Sequence, residues 1–174
     1  MSDPHLIDSH KLIYHPRRVA DWQRGDCVMP MYLEIAPSGS CNHRCIFCAV
    51  DYMDYRREFL RTAVLEKAVR QASRLGIKSI MYAGEGEPLL HEDIASIVRF
   101  TKAQGIDVSI TTNGVLLKKD LAEKIKQINP KLHVCGHVHY GYGHQYLRNT
   151  LYVNASICNE EYSPLNKPLV VDIS

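Results

Sequence analysis

Three short apolar runs, each followed by a stretch of helical period, fill the chain from residue 31 to 128 and fix its class of fold. "MYLEIAP" (Met31–Pro37) alternates apolar and polar residues and stops at Pro37, which fits a strand. Val64, Ala68, Ala72 and Leu75 then recur on one helical face, with Gly76 placed to end the helix. "IKSIMYA" (Ile77–Ala83) reads as a short buried strand, and Ile94, Ile97 and Val98 as the apolar stripe of a second helix closed by Gly105. "DVSITT" (Asp107–Thr112) is the third strand, and Leu121, Ile125 and Ile128 mark a third helix. Strand alternating with helix three times over predicts βα units on a parallel sheet, an α/β fold.

The rhythm changes at Asn129. "KLHVCGH", "TLYVNAS" and "PLVVDIS" are β-like runs separated by loops rich in Gly, Tyr and Asn, with no helical period between them. Three segments are therefore expected: a polar, irregular lead-in over 1–30, βα units over 31–128, and a β-rich tail over 129–174. The length of 174 residues suits one domain or two small ones. A formal charge of +2 leaves no polybasic footprint for nucleic acid or an anionic membrane. The first twelve residues, "MSDPHLIDSHKL", contain no apolar core of a signal peptide, and no run of 18 apolar residues occurs, so a cytoplasmic address is expected. In a reducing compartment the six cysteines (Cys27, Cys41, Cys45, Cys48, Cys135, Cys158) favour metal ligation over disulfides.

Cys41, Cys45 and Cys48 form C-x3-C-x2-C directly after the first strand. A [4Fe–4S] cube normally takes four thiolates, so three on one loop would leave one iron open to a substrate or cofactor. Zinc is the alternative, with Cys27 or His43 as a fourth ligand, although zinc pairs usually read C-x2-C. The pattern resembles the radical S-adenosylmethionine (SAM) superfamily, whose hallmark is C-x3-C-x-aromatic-C, with Phe47 in the aromatic position. The resemblance implies a [4Fe–4S] cluster and SAM. The open iron chelates the methionine moiety, and reductive cleavage gives a 5′-deoxyadenosyl radical that abstracts hydrogen from substrate. It further implies an electron donor such as a flavodoxin or ferredoxin, and a small-molecule or peptide substrate.

Two more stretches fit the same family. "AGEGEPLLH" closes the second strand where the family holds the SAM amino group: Gly84 and Gly86 would allow close backbone approach, and Glu85 or Glu87 would neutralise the ammonium. On residues alone, Gly-Glu-Gly-Glu-Pro is equally an acidic turn. "SITTNG" closes the third strand, where Ser109, Thr111 and Asn113 would meet ribose and carboxylate; Asn113-Gly114 also reads as a plain turn. Motifs at the C-terminal ends of successive strands are what a partial (β/α) barrel of about three units requires, since such barrels place their chemistry at that face. Trp22, Tyr52 and Tyr55 flank the cysteine segment, where aromatic residues more often pack than line a pocket.

In the tail, "HVCGHVH" followed by "GYG" resembles the last metal motif, G-H-x-H, of calcineurin-like metallophosphoesterases. That resemblance implies His137 and His139 as ligands of a divalent Mn, Fe or Zn ion in a two-metal phosphodiester hydrolase. His133 and His144 read as ordinary strand and loop histidines. Asp8-Ser9-His10 and Gly25-Asp26 match two upstream ligand sources as letters only, and no Asn-His-Glu/Asp occurs. The chain thus reads as a radical SAM fold joined near residues 126–131 to a metallophosphoesterase-like end. A phosphoesterase or an inactive chimeric fragment is the alternative function.

Overall fold

The computed structural model describes residues 11–46, 48, 52, 57–136 and 139–172. Among them the chain forms two compact units, Met1–Asn113 and Gly114–Ser174.

In the first unit, β2 (Ser79–Tyr82) is the middle of a parallel sheet, flanked by β1 (Tyr32–Ile35) and β3 (Asp107–Ile110) in the order β1-β2-β3. Its centrality follows from its residues: Ile80 and Tyr82 are fully buried. In register across the sheet, Ile35, Tyr82 and Ile110 share the helix-covered face, whereas Glu34, Met81 and Ser109 share the opposite one. A helix follows each of the first two strands, as a parallel sheet requires: α2 (Thr62–Arg74) and α3 (Ile94–Ala103), both preceded in the chain by the short α1 (Pro16–Gln23). The expected α/β architecture with parallel βα units is present, and the sheet is open, with no closed barrel.

The buried face of α2 is not the expected one. Leu65, Val69 and Ala72 are buried, while Val64 and Leu75 are 43% and 54% exposed and Ala68 also faces outward. Both sets satisfy a helical period, and the one carrying the larger continuous apolar surface wins. Leu65, Val69 and Ala72 continue into Ile77 around the helix end, where Gly76 sits at φ 81. There Gly76 N–H donates to Ser73 O (3.1 Å) and Ile77 N–H to Ala72 O (3.0 Å). This double closure needs a left-handed residue and satisfies two orphan carbonyls. Helix α3 buries Ile94, Ile97 and Val98 as expected, together with Ala95 and Thr101. Thr101 Oγ1 donates to Ile97 O (2.8 Å) and lies 2.6 Å from the Tyr82 hydroxyl. Burial raises the Tyr82 pKa, and the bond to Thr101 partly opposes the rise.

The second unit holds α4 (Lys119–Lys126) and a sheet of β4 (Leu132–Cys135), β5 (Gly143–Leu147) and β6 (Thr150–Asn154) in the order β4-β6-β5. Strand β6 pairs parallel with β4 and antiparallel with β5. Leu121 and Ile125 lie on α4, half-buried, and Ile128 follows its end. "KLHVCGH" and "TLYVNAS" contain strands as expected. "PLVVDIS" does not: residues 168–172 are irregular, and the third strand is Gly-His-Gln-Tyr-Leu. That run lacks β-branched residues and owes its state to a tight hairpin, Leu147 pairing with Thr150 across Arg148-Asn149, with Arg148 at φ 55. No described helix is long and apolar enough to cross a membrane.

Neighbouring substitutions on α2 test the buried face. Leu65→Ala should cost about 2–5 kcal/mol in urea unfolding, the range for a buried leucine, whereas Val64→Ala should change stability by no more than about 0.5 kcal/mol.

Candidate functional site at the C-terminal ends of β1 to β3

The cysteine loop leaves β1 through Ala36 and Pro37 and returns to start α2. Its neck is fastened by an antiparallel bridge between Ser38 and Phe59. Gly39 N–H donates to Glu58 O (2.8 Å), and Leu60 N–H to Pro37 O (3.0 Å). Ser38 is buried, and its Oγ both donates to Ser40 O (3.0 Å) and accepts from Ser40 N–H (3.1 Å). Beyond this neck the chain opens out: Cys45 is exposed, Cys41 and Cys48 are partly so, and Ile46 is 94% exposed. Phe47 lies outside the described residues.

The loop after β2 seats itself against this neck. An added Cβ at Gly86 would stand 1.9 Å from Ser38 O and 2.8 Å from Ser40 O, so only glycine permits the approach. At Gly84, whose φ is 106, an added Cβ would stand 2.9 Å from Ala36 Cβ. At Gly86 this close contact is with the chain's own backbone, and Glu87 N–H adds to it by donating to Ser40 O (2.8 Å).

Glu87 is buried, with 2% exposure. Its Oε1 accepts from Leu89 N–H (2.8 Å) and from the Thr112 hydroxyl (2.6 Å), and its Oε2 from Asn113 N–H (2.9 Å). Three donors offset the desolvation of a buried carboxylate. Of the two acids expected to face an ammonium, Glu87 is therefore engaged inside the protein, and Glu85 is the exposed one. Ser109 and Thr111 are exposed at the end of β3; Thr111 Oγ1 lies 3.4 Å from Met81 Sδ. The Asn113 side-chain amide reaches the cysteine loop, donating to Asn42 Oδ1 (2.9 Å) and approaching Cys41 Sγ (3.8 Å).

His91 also escapes sequence reading. It is buried, with Nδ1 accepting from Asp93 N–H (3.2 Å) and Nε2 2.7 Å from Leu60 O, so that it fastens the far end of the cysteine loop. Its neutral tautomer with hydrogen on Nε2 satisfies both contacts. Asp93 in turn accepts from the Thr62 hydroxyl (2.6 Å). Only contact geometry reveals these roles, because a histidine after Pro-Leu-Leu carries no motif of its own.

Six cysteines are free thiols among the described residues, and no three His, Cys, Asp or Glu side chains there stand together closely enough to hold a metal ion. In donor chemistry Cys41, Cys45 and Cys48 fit an iron–sulfur cluster: three soft thiols on one loop with a fixed neck, none tied up in a disulfide. Trp22 and Tyr52 are 68% and 82% exposed, so neither packs, and Tyr55 lies outside the described residues. In the second unit His139 follows β4 and meets the Tyr162 ring edge-on at 4.5 Å, while His137 lies outside the described residues. His133 is on β4 beside Tyr152, and His144 is on β5 rather than in a loop.

Glu87→Ala would strand two backbone amides and a hydroxyl, and should lower stability by at least about 1–3 kcal/mol in urea unfolding, the cost of one unsatisfied buried group. Glu85→Ala, on the same loop, should stay within about 0.5 kcal/mol of the parent.

A probable GTP 3′,8-cyclase of Methanothermobacter thermautotrophicus is 45% identical over 89 residues, which is 51% of this chain and 29% of that protein. The chain spans about a third of the length of the curated relatives it matches. Among solved structures, BtrN in complex with AdoMet and 2-DOIA shares the fold, with a TM-score of 0.57 at 19% identity, over 72% of this chain and 57% of that one. Streptococcus suis SuiB bound to S-adenosylmethionine aligns with a TM-score of 0.55 at 26% identity, over 78% of this chain and 31% of that one. The sequence model of the radical SAM superfamily matches residues 35–151, running from the last residue of β1 into β6. This chain belongs to the radical SAM superfamily.

Proposed function

We propose that the chain binds a [4Fe–4S] cluster and SAM at the C-terminal ends of β1 to β3, and serves reductive SAM cleavage for hydrogen abstraction from a substrate. The observation that carries this reading is the junction of all three strand-end loops at Glu87, with the Asn113 amide 3.8 Å from Cys41 Sγ. Cys41, Cys45 and Cys48 would hold the cluster, and Phe47 would cover it. When bound, the cluster supplies one electron to break a carbon–sulfur bond of SAM, and the resulting 5′-deoxyadenosyl radical takes hydrogen from substrate. Exposed Glu85, with the backbone of Gly84 and Gly86, receives the SAM ammonium. Ser109 and Thr111 receive ribose and carboxylate. Glu34, Met81 and Ser109, in register on the sheet face opposite Tyr82, offer substrate a floor of mixed polarity. A flavodoxin- or ferredoxin-type donor supplies the electron. The names of the relatives make GTP the first substrate to offer.

Anaerobic reconstitution with iron and sulfide should give a broad visible absorption bleached by dithionite, and SAM should then yield 5′-deoxyadenosine. Cys45→Ser should lower that yield at least about a hundredfold, since losing one of three ligands removes the cluster. A preparation that takes up zinc alone would sink the reading.

A divalent-metal phosphodiester hydrolase is the second reading, and it rests on one feature: Gly136 directly follows β4, and His139 stands three positions further along the chain. It requires manganese-dependent hydrolysis of a chromogenic phosphodiester that disappears in His139→Ala.

A further inference from the structure

The three thiols of the cysteine loop are not equivalent. Two N–H donors are directed at Cys41 Sγ: the His43 backbone at 3.4 Å and the Asn113 side-chain amide at 3.8 Å. Among the described contacts, no donor is directed at Sγ of Cys45 or Cys48. Asn113 stands 72 positions along the chain from Cys41, at the end of a different strand. Its placement is over-determined. Its backbone N–H is held by Glu87 Oε2 at 2.9 Å, and its side-chain nitrogen by Asn42 Oδ1 at 2.9 Å. The second bond also fixes which way the amide faces, because only the NH₂ end can serve an acceptor oxygen and a sulfur together. One hydrogen goes to Asn42 and the other is left for Cys41.

We propose that Asn113 is a positioning residue for the cluster, its side-chain amide donating a hydrogen bond to the Cys41 sulfur and raising the reduction potential of the bound [4Fe–4S] centre. The proposal rests on the cluster-binding reading above and differs from the expectation that Asn113 contacts SAM. Its physical basis is charge. Reduction adds one electron to a centre already rich in thiolate charge, and an N–H dipole aimed at a ligand sulfur stabilises the reduced state more than the oxidised one. A donor from β3 also sets where the cysteine loop stands relative to Ser109 and Thr111. The same amide therefore couples the cluster's position to the strand that would carry SAM.

Two measurements test it, and neither reads turnover. In the metal-free chain, the side-chain amide signals of ¹⁵N-labelled Asn113, assigned by their loss in Asn113→Ala, should move on Cys41→Ser and stay in place on Cys48→Ser. In reconstituted protein, a redox titration followed by electron paramagnetic resonance should show a more negative midpoint in Asn113→Ala than in the parent, and more negative still in Asn113→Asp. Asn42→Ala, which keeps Asn113 but frees its amide, should shift the midpoint in the same direction by less. Unfolding midpoints of the variants separate this effect from a loss of fold. Amide signals indifferent to Cys41→Ser, or a midpoint unmoved in Asn113→Ala while SAM affinity falls, would overturn the proposal. A chain that takes up no iron defeats the functional reading instead, and the amide measurement still decides the Asn113–Cys41 contact.

Discussion

The arrangement of the strand ends depends on one buried carboxylate. Three parallel strands present three independent loops at their C-terminal edge, and nothing in a sheet's own hydrogen bonding fixes how such loops lie against each other. Glu87 supplies that restraint. Its side chain binds the end of β3 through Thr112 and Asn113, and its backbone N–H binds Ser40 in the neck of the cysteine loop. A neutral side chain would not serve equally. Charge-assisted bonds are roughly twice as strong as neutral ones, and a carboxylate accepts several donors without donating, which suits a place where only N–H and O–H groups converge.

The core beneath explains why the restraint holds. Ile80 and Tyr82 place β2 under the helices with no exposed surface, and Tyr82 is bonded to Thr101 of α3. The strand that delivers Glu87 is the middle one of the three, paired on both sides. The glycines act at the same point from the other side. At Gly86 the close packing of loop on neck leaves no room for any side chain, so the sequence "GEGEP" combines a position where only hydrogen fits with a neighbour whose carboxylate must be buried.

Much of this was legible in the sequence because the signals were local. Alternation pointed to β1, a short apolar run to β2, helical spacing to α2 and α3, and Gly76 to the helix end. The cysteine spacing pointed to cluster chemistry without a structure. What could not be read was set by contacts between segments far apart in the chain. The buried face of α2 was misjudged by one residue, since Val64 and Leu65 both satisfy a helical period and only the partner surface decides between them. Glu85 and Glu87 are indistinguishable as letters, yet one is exposed and the other buried under three donors. Strand β5 was missed because Gly143 to Leu147 carry little strand propensity and take their state from the hairpin with β6. His91 and Asn42 had no pattern at all, because their contacts with the cysteine loop and with Asn113 span 31 and 71 positions of chain.

A loop fixed at its neck suits a centre that must be positioned. The neck bonds at Ser38, Gly39 and Leu60, with His91 clamping Leu60, define where the cysteine segment starts and ends. Between those points Ile46 is 94% exposed, an apolar side chain standing in water at the centre of the metal motif. Covering it is favourable by about 1.5–3 kcal/mol, so closing the thiols around a cluster and packing the tip over it reinforce each other. The neck bonds, and Asn113 beside Cys41, therefore let the sheet set the position of the site.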